Sequence, residues 1–405
     1  MFSVVANKIE KVKWRARSLL LPKPHSAEKP FYRKDYGRIG VAGLFRTASG
    51  IGEAARSCFR GLQSTGFDVV AIDLSARFDQ VDMQFDEAIS CDQRAECDTA
   101  VIFLNAPELE VALFEIRHAF RARFNKRPYL IGAWAWELNS FPKGWSDPAK
   151  LLSELWVPSN FVRNAFSEHL HLPIKVVPHY VESAGERLTR QPSDAKIHPF
   201  RCLIMADGRS SAERKNIEGG IHAFQRAFGN DSNCQLIVKT RNFSEYQATW
   251  KALSQYADRD SRIEFIDSSL PRSDVRELIA SCNVLISLHR AEGFGLHLAE
   301  AMAIGIPVIA TAWSGNLEFM NQENAYLVDY ELIDVPSTDP VYGGNENAVW
   351  ADPDLDLAAQ YLKSIRRGDP EVLAKRTAAI ESVQNTLNCR VYQSALAGSA
   401  AHQLS

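Results

Sequence analysis

Two carboxylates eight residues apart flank a glycine turn in the second half of the chain. The segment reads EGFGLHLAE from 292 to 300, and its apolar spacing predicts a helix over Leu296–Ile304. Glycines let backbone N–H groups approach a ligand closely, and the start of a helix favours an anion. Glu292 and Glu300 would accept hydrogen bonds from hydroxyl groups. The segment thus has the groups needed to bind a sugar nucleotide, although an ordinary crossover loop with solvated acids has the same pattern.

Two cations, Arg209 and Lys215, lie six residues apart in the loop that follows the strand predicted at Arg201–Ala206. A helix is predicted next, over Asn216–Phe228. A guanidinium fork and an ammonium group at the carboxyl edge of a sheet could neutralise a leaving diphosphate without a metal. A solvated basic loop is the alternative.

Two D-x-D patterns, at 258–260 and 352–356, could in principle hold a divalent metal. The first lies in a charged loop before a predicted strand. In the second, Asp354 and Asp356 lie at a predicted helix start, where acidic groups complement the helix dipole. We therefore expect no metal site and no resident cofactor.

The first half of the chain contains a G-x-G-x-x-A pattern at Gly50 and Gly52, and Asp73 ends the following predicted strand. This pattern makes a nicotinamide-dependent oxidoreductase an alternative. That fingerprint requires its first glycine directly after the strand, whereas five residues separate Leu44 from Gly50. The spacing favours a glycine-rich helix start that faces a phosphate or a sugar.

Indole rings and a carboxylate follow another first-half strand, in the segment GAWAWELN at 132–139. Trp136 and Glu137 could form a wall on which an acceptor sugar stacks, or the indoles could be buried in the core. His179 follows a further strand, and we interpret it as a structural residue beside the linker.

Strand-like and helix-like runs alternate along most of the chain, in two series separated by a polar stretch over 181–198. Such alternation predicts parallel sheets covered by helices, and two such domains in tandem form a cleft at the carboxyl ends of their strands. We predict an α/β protein with Rossmann-like domains over 37–182 and 198–370. Closing helices would occupy 371–405, and a basic arm 1–36.

The composition of the chain disfavours several classes of function. The net charge of −3 disfavours nucleic acid as the main partner, and the seven cysteines include no C-x-x-C pair, as expected of thiols in a reducing cytoplasm. There is no apolar run of membrane-spanning length and no signal-peptide core. Residues 1–34 hold nine Lys/Arg and two Glu, which is typical of an arm that lies on an anionic membrane or of a flexible basic tail.

The motif around 292–310, with its E-x7-E spacing and the following AMAIGIPVIA, resembles the family 4 retaining glycosyltransferases of the GT-B fold. The spacing of Arg209 and Lys215 is similar to that of the family. The segments WEL at 136–138, LWVPS at 155–159, VPH at 177–179 and SGN at 314–316 resemble a bacterial, mannosyltransferase-like branch.

The resemblance implies a role for each candidate residue. Arg209 and Lys215 would hold the donor diphosphate, Glu292 the transferred sugar, and Glu300 the ribose. Backbone groups of the helix start and the first-domain glycine loop would contact phosphate or sugar, and the base would rest near 266–270. These donor-binding backbone positions are Phe294, Gly295, Leu296, Gly50 and Gly52.

The resemblance further implies metal-independent transfer of a hexose, with retention, from a nucleoside diphosphate sugar to a saccharide or lipid-linked acceptor in bacterial surface polysaccharide synthesis. The last helices would cross back to the first domain. Many family members have a histidine after the fourth strand, where this chain has Glu137. An epimerase or phosphorylase of the same fold, or a non-catalytic subunit of a glycan assembly complex, remains an alternative.

Overall fold

Two six-stranded parallel sheets form the framework of the protein. The computed structural model describes residues 36–84, 89, 91–92, 96–123, 128–182, 199–339 and 341–401. The expected basic arm, except for residue 36, and most of the expected linker lie outside these residues.

The first sheet has the strand order β2-β1-β3-β4-β5-β6, and all of its pairings are parallel. Its central strands are continuous apolar runs because helices cover both faces of a parallel sheet. The strands are β1 Ile39–Gly43, β2 Val69–Asp73, β3 Thr99–Ile102, β4 Tyr129–Ala133, β5 Glu154–Val157 and β6 Ile174–Val176.

The second sheet has the order β12-β11-β10-β7-β8-β9 and is also parallel throughout. Its strands are β7 Phe200–Asp207, β8 Cys234–Arg241, β9 Ile263–Asp267, β10 Val284–Ser287, β11 Val308–Thr311 and β12 Tyr326–Val328. The predicted α/β class with two doubly wound domains is confirmed.

Helices connect the strands and close both domains. They are α1 Gly50–Ser64, α2 Ala106–Ile116, α3 Ser146–Ala149, α4 Asn160–Ser167, α5 Ala212–Lys215, α6 Ile217–Phe228, α7 Gln247–Arg259, α8 Arg272–Ala280, α9 Leu296–Ala303, α10 Leu355–Arg367, α11 Pro370–Thr386 and α12 Arg390–Ala401. In the second domain, helices α5 and α7 were not expected from the sequence.

An antiparallel hairpin of β13 Tyr330–Asp334 and β14 Val349–Pro353 was not expected either. Its connection includes the region 337–347 that the sequence predicts as an irregular loop. We call the described residues of 330–353 the strap. It extends from the second domain to the first, where Asn139 Oδ1 accepts a hydrogen bond from Val349 N at 3.0 Å.

The last two helices join the domains. Helix α11 packs on α9 in the second domain, and α12 packs on α1 in the first. Tyr36 Oη donates to the carbonyl of Leu396 at 2.9 Å, and the amide of Tyr180 donates to Tyr392 Oη at 3.3 Å. Among the described helices, none combines the length and the apolar character needed to cross a membrane.

Candidate functional site

A cleft of about 590 Å³ lies between the two domains. Loops at the carboxyl ends of strands from both sheets line it, as expected for doubly wound domains. The expected site residues that line the cleft are Gly50, Glu137, Arg209, Lys215, Glu292, Phe294, Gly295, Leu296 and Glu300.

An ion pair between the half-buried Lys215 and the buried Glu292 lies at the second-domain wall of the cleft. Lys215 Nζ donates to Glu292 Oε1, and Arg214 Nη1 is 3.5 Å from the same oxygen. Burial would raise the pKa of Glu292, but Lys215 and Arg214 outweigh burial and hold that pKa well below its usual range. Glu292 is therefore ionised, and it is suited to accept hydrogen bonds and not to act as an acid.

The start of helix α9 is built by close backbone contacts. Gly295 has a φ of +86°, a conformation that favours glycine. The amide of Gly315 donates to Glu292 O at 2.8 Å, and the amide of Glu292 donates to Ser314 Oγ at 2.8 Å. These bonds fix the turn, and the first amides of a helix have no partner within it. The turn therefore presents N–H groups and the positive end of the helix dipole beside Glu292.

Glu300 faces a charged cluster shared between the domains. Arg272 Nε of the second domain is 3.2 Å from Glu53 Oε1 of the first. Burial and the neighbouring Glu53 raise the pKa of Glu300 to about 7, against the opposing effect of Arg272. Glu300 thus keeps its proton to a higher pH than an ordinary carboxyl group does.

Arg209 lies at the edge of the cleft and is paired there. Its Nη2 atom is 3.1 Å from Glu245 Oε1, and the side chain is 40% exposed. The hydrogen bond with Glu245 raises the pKa of Arg209. The guanidinium is consequently accessible from the cleft but shares its charge with an acid.

The structure corrects the expectation for Gly52. Its amide donates to Ser49 Oγ at 3.2 Å, which caps helix α1. A Cβ atom there would lie 2.5 Å from Thr47 O and 2.7 Å from Leu44 O. Gly52 is therefore required for close packing of the helix on the preceding loop, and it does not line the cleft, whereas Gly50 does.

Trp136 also differs from its expected role as an acceptor wall. Its indole is buried, packs 5.2 Å from the ring of Trp145, and donates from Nε1 to Ser140 O at 2.7 Å. The core alternative is therefore correct for this side chain. Glu137, the next residue, does line the cleft.

His179, interpreted as a structural residue beside the linker, in fact lines the cleft. Its ring centroid is 4.8 Å from that of Phe294, in an edge-to-face arrangement between the domains. Burial lowers the pKa of His179 to about 4, so the imidazole is neutral at pH 7. Its position just after the carboxyl end of β6 was the available signal.

Two further cations line the cleft at the carboxyl end of β8, and the sequence analysis did not single them out. Arg241 pairs with Asp207 in its own domain and with Asp82 in the first domain. Lys239 donates to the carbonyls of Thr240 and Ser268, and burial lowers its pKa to about 8. The sequence signal that could have identified these two cations is Lys-Thr-Arg at the end of a predicted strand.

Three acids of the two D-x-D patterns, Asp260, Asp352 and Asp354, have structural partners. Asp260 pairs with Arg262 at 2.7 Å, and Asp352 pairs with Arg290 at 3.1 Å. Asp354 caps helix α10 through the amides of residues 356 and 357. In the parts of the chain that the structure describes, no group of three or more His, Cys, Asp or Glu residues is placed to hold a metal.

The alternative of a nicotinamide-dependent oxidoreductase required the Asp73 carboxylate to bind a ribose. Its carboxylate accepts hydrogen bonds from the amides of Phe45 and Ser75 and pairs with Arg46 at 2.7 Å. These contacts tie the loop after β1 to the end of β2. Asp73 does not line the cleft, so the geometry does not favour a ribose at this carboxylate.

Comparison with known proteins agrees with this geometry. Residues 201–334 match the family model Glycosyl transferases group 1, and a search of the curated proteins found no match. HepE from Anabaena, solved with UDP and glucose, is 14% identical with a TM-score of 0.62, covering 90% of this chain and 99% of that one. The fold is GT-B.

Two other GT-B structures are similar over most of their length. A glycosyltransferase from Rickettsia africae is 14% identical with a TM-score of 0.59, covering 92% of this chain and 100% of that one. Sucrose-phosphate synthase from Thermosynechococcus elongatus has the same identity and TM-score, with 91% and 100% covered. The matched domain and the GT-B fold together support a glycosyltransferase.

Proposed function

We propose that this protein is a retaining, metal-independent hexosyltransferase that uses a nucleoside diphosphate sugar as donor. The observation that carries the proposal is the Lys215–Glu292 pair beside the start of α9 in the interdomain cleft. This arrangement puts a cation, helix N–H groups and an ionised hydroxyl acceptor within one small region. A sugar diphosphate requires all three.

Each donor group has a matching part of the cleft. Lys215, Arg209 and the α9 amides bind the diphosphate, and Glu292 binds hydroxyls of the transferred sugar. Glu300 binds the ribose. The base rests on the loop after β9, where Ser268 and Leu270 line the cleft. The complex of HepE with UDP and glucose makes a UDP-sugar the first donor to test, with GDP-mannose as the alternative.

Bond cleavage in this proposal depends on electrostatics. The leaving diphosphate gains negative charge, which Lys215, Arg209 and the α9 dipole stabilise. Glu292 is committed to cationic partners, which disfavours it as a nucleophile. The acceptor hydroxyl therefore attacks from the face that the diphosphate leaves, and a phosphate oxygen takes its proton. Exclusion of water from the cleft limits hydrolysis.

The acceptor would enter along the first-domain wall, where Glu137 is accessible from the cleft. Saccharide or lipid-linked saccharide hydroxyls are the acceptors we propose, in bacterial surface polysaccharide synthesis at the inner face of the membrane. Residues 1–34 would bind that anionic surface through their basic side chains. A liposome sedimentation assay with and without these residues tests this part, and equal binding would remove it.

The central test measures nucleotide release from UDP-glucose, UDP-N-acetylglucosamine and GDP-mannose by the full chain, in the presence of saccharide acceptors and with and without EDTA. We expect release with at least one donor, unaffected by EDTA, and its loss in Lys215→Met. Lys251→Met is the matched control because Lys251 is exposed on α7, away from the cleft. Normal release by a folded Lys215→Met protein would refute the assignment.

The stereochemical part is tested on the product. Proton NMR of the anomeric centre, compared with that of the donor, should show retention. Inversion would refute the retaining mechanism alone. A changed sugar without transfer would indicate an epimerase, and a phosphate requirement would indicate a phosphorylase.

A further inference from the structure

The strap completes the core of the first domain. Three of its side chains, Tyr342, Ala348 and Trp350, belong to the same buried cluster as Trp136 and Trp145. The ring of Tyr342 is 5.6 Å from that of Trp136. A second-domain segment is thus anchored in the apolar interior of its neighbour.

Tyr342 also joins the two walls of the cleft. Its Oη atom donates to Glu137 Oε2 of the first domain at 3.0 Å. On the other side, the guanidinium carbon of Arg214 is 5.7 Å from the centroid of the Tyr342 ring. Tyr342 is 3% exposed, so water does not compete for these contacts.

Arg214 is fixed by the loops around it. It is 1% exposed, and Nη1 donates to the carbonyl of Ala291 while Nη2 donates to Ser210 Oγ. Ser211 caps the helix that carries Arg214, and its hydroxyl donates to Asp339 Oδ2 of the strap at 2.7 Å. The guanidinium therefore has a single defined orientation toward Glu292.

This geometry matters when a donor is bound. A diphosphate would draw Lys215 away from Glu292, and a buried carboxylate without a cation is strongly unfavourable. Arg214, at 3.5 Å, remains beside Glu292. Its Nη1 and Nη2 atoms also donate to Ala291 and Ser210, and these bonds oppose movement of the guanidinium toward the diphosphate.

We propose that Arg214 and Tyr342 are positioning residues: Arg214 keeps Glu292 charged and oriented toward the donor sugar, and Tyr342 ties Arg214 to Glu137 across the cleft. The inference rests on the proposed function. We therefore expect the contact between Tyr342 and Glu137 of the first domain to affect the sugar site of the second domain. It assigns the strap a role in binding the sugar and not the nucleotide.

The test separates the sugar from the nucleotide. Isothermal titration calorimetry gives the dissociation constants of UDP and UDP-glucose, and of GDP and GDP-mannose, for the wild type and Tyr342→Phe. The variant keeps the ring and loses one hydrogen bond to a charged group. We expect unchanged nucleotide binding and a loss of about tenfold in the extra affinity that the sugar provides.

Tyr361→Phe is the matched control because its hydroxyl donates to Leu327 O at 3.3 Å, away from the cleft. Glu137→Gln, which weakens the same bond from its acceptor side, should reproduce the effect if Tyr342→Phe folds poorly. A purely structural role would lower the melting temperature and weaken nucleotide and sugar nucleotide equally.

The outcomes distinguish the two proposals. Failure of the wild type to bind any of the four ligands would remove the proposed function and this inference with it. An unchanged gain from the sugar in both Tyr342→Phe and Glu137→Gln would overturn this inference alone. Nucleotide binding with no gain from the sugar in the wild type would overturn this inference together with the assignment of Glu292 to the sugar.

Discussion

Replacing Glu300 by glutamine should stabilise the protein at pH 8 and have a much smaller effect on its stability at pH 5. The pKa of Glu300 is raised from 4.5 to about 7 in the folded protein, whereas the unfolded chain has the ordinary value. Between these pH values the folded state holds a proton that the unfolded state has lost. The resulting stability is complete below pH 4.5 and is lost as the pH rises through about 7.

The magnitude follows from the shift. At about 1.4 kcal/mol per pH unit, a rise from 4.5 to about 7 corresponds to roughly 3 kcal/mol. Glu300 is partly exposed, and solvent screening reduces the effect, so we expect about 1–3 kcal/mol at pH 8. Glutamine has the shape of the protonated acid and does not ionise, so it avoids this cost.

Urea denaturation of the wild type and Glu300→Gln at pH 5 and pH 8 measures the effect. Nucleotide binding gives a second readout, because only the ionised carboxylate is the strong acceptor for ribose hydroxyls. The ionised fraction of Glu300 grows between pH 6 and pH 8, and the affinity for UDP should rise with it. Protonation of the UDP phosphates affects binding to the wild type and to Glu300→Gln equally, so the difference between the two proteins reports on Glu300.

Two results would refute the reasoning. If Glu300→Gln is no more stable than the wild type at pH 8, burial and Glu53 do not raise the pKa of Glu300 as the structure indicates. If both proteins show the same pH dependence of UDP binding, Glu300 does not contact the ribose. The first result concerns the protein alone, and the second concerns the ligand.

Three other changes test separate parts of the site. Lys215→Met should slow donor turnover by about 10²-fold, measured by nucleotide release, because it removes the cation nearest the diphosphate. A smaller loss of turnover in Lys215→Met than in Arg209→Met would contradict the central role of Lys215. Gly315→Ala should lower the free energy of unfolding, measured in urea, by about 1–3 kcal/mol, because its Cβ would lie 2.0 Å from Gly293 O. Equal stability of the variant and the wild type would contradict that contact. Asp82→Asn removes the partner of Arg241 across the cleft; small-angle scattering should show a larger radius of gyration, and an unchanged radius would exclude a closing role for the pair.

The sequence predicted most of the framework because local patterns determine it. The alternation of strand-like and helix-like runs in two series predicted the two parallel sheets. The segment 292–300 was recognisable because its carboxylates, glycines and helix start are contiguous in the chain. The sequence indicated Lys215 and Glu292 separately, and the fold brings their side chains into contact.

The residues that the sequence analysis missed make their contacts with residues that are distant in the sequence. Tyr342 lies 205 positions from Glu137, in a segment without apolar periodicity, and nothing near it in the sequence indicates that partner. Arg214 looked like one more cation in a basic loop, although it is buried. Gly52 was misread because a glycine pattern does not reveal whether its Cα faces a ligand or a neighbouring backbone.

The path of α12 has a consequence for the order in which this chain acquires its structure during synthesis. Tyr392, Ala395 and Leu396 belong to the same buried cluster as Val41, in the first strand. The strap likewise supplies Tyr342 to the interior of the first domain. The half of the protein that leaves the ribosome first therefore remains without part of its interior until residues 392–396 have been synthesised. A nascent chain arrested after residue 182 should be digested by protease, and protection should arise only when residue 396 has emerged.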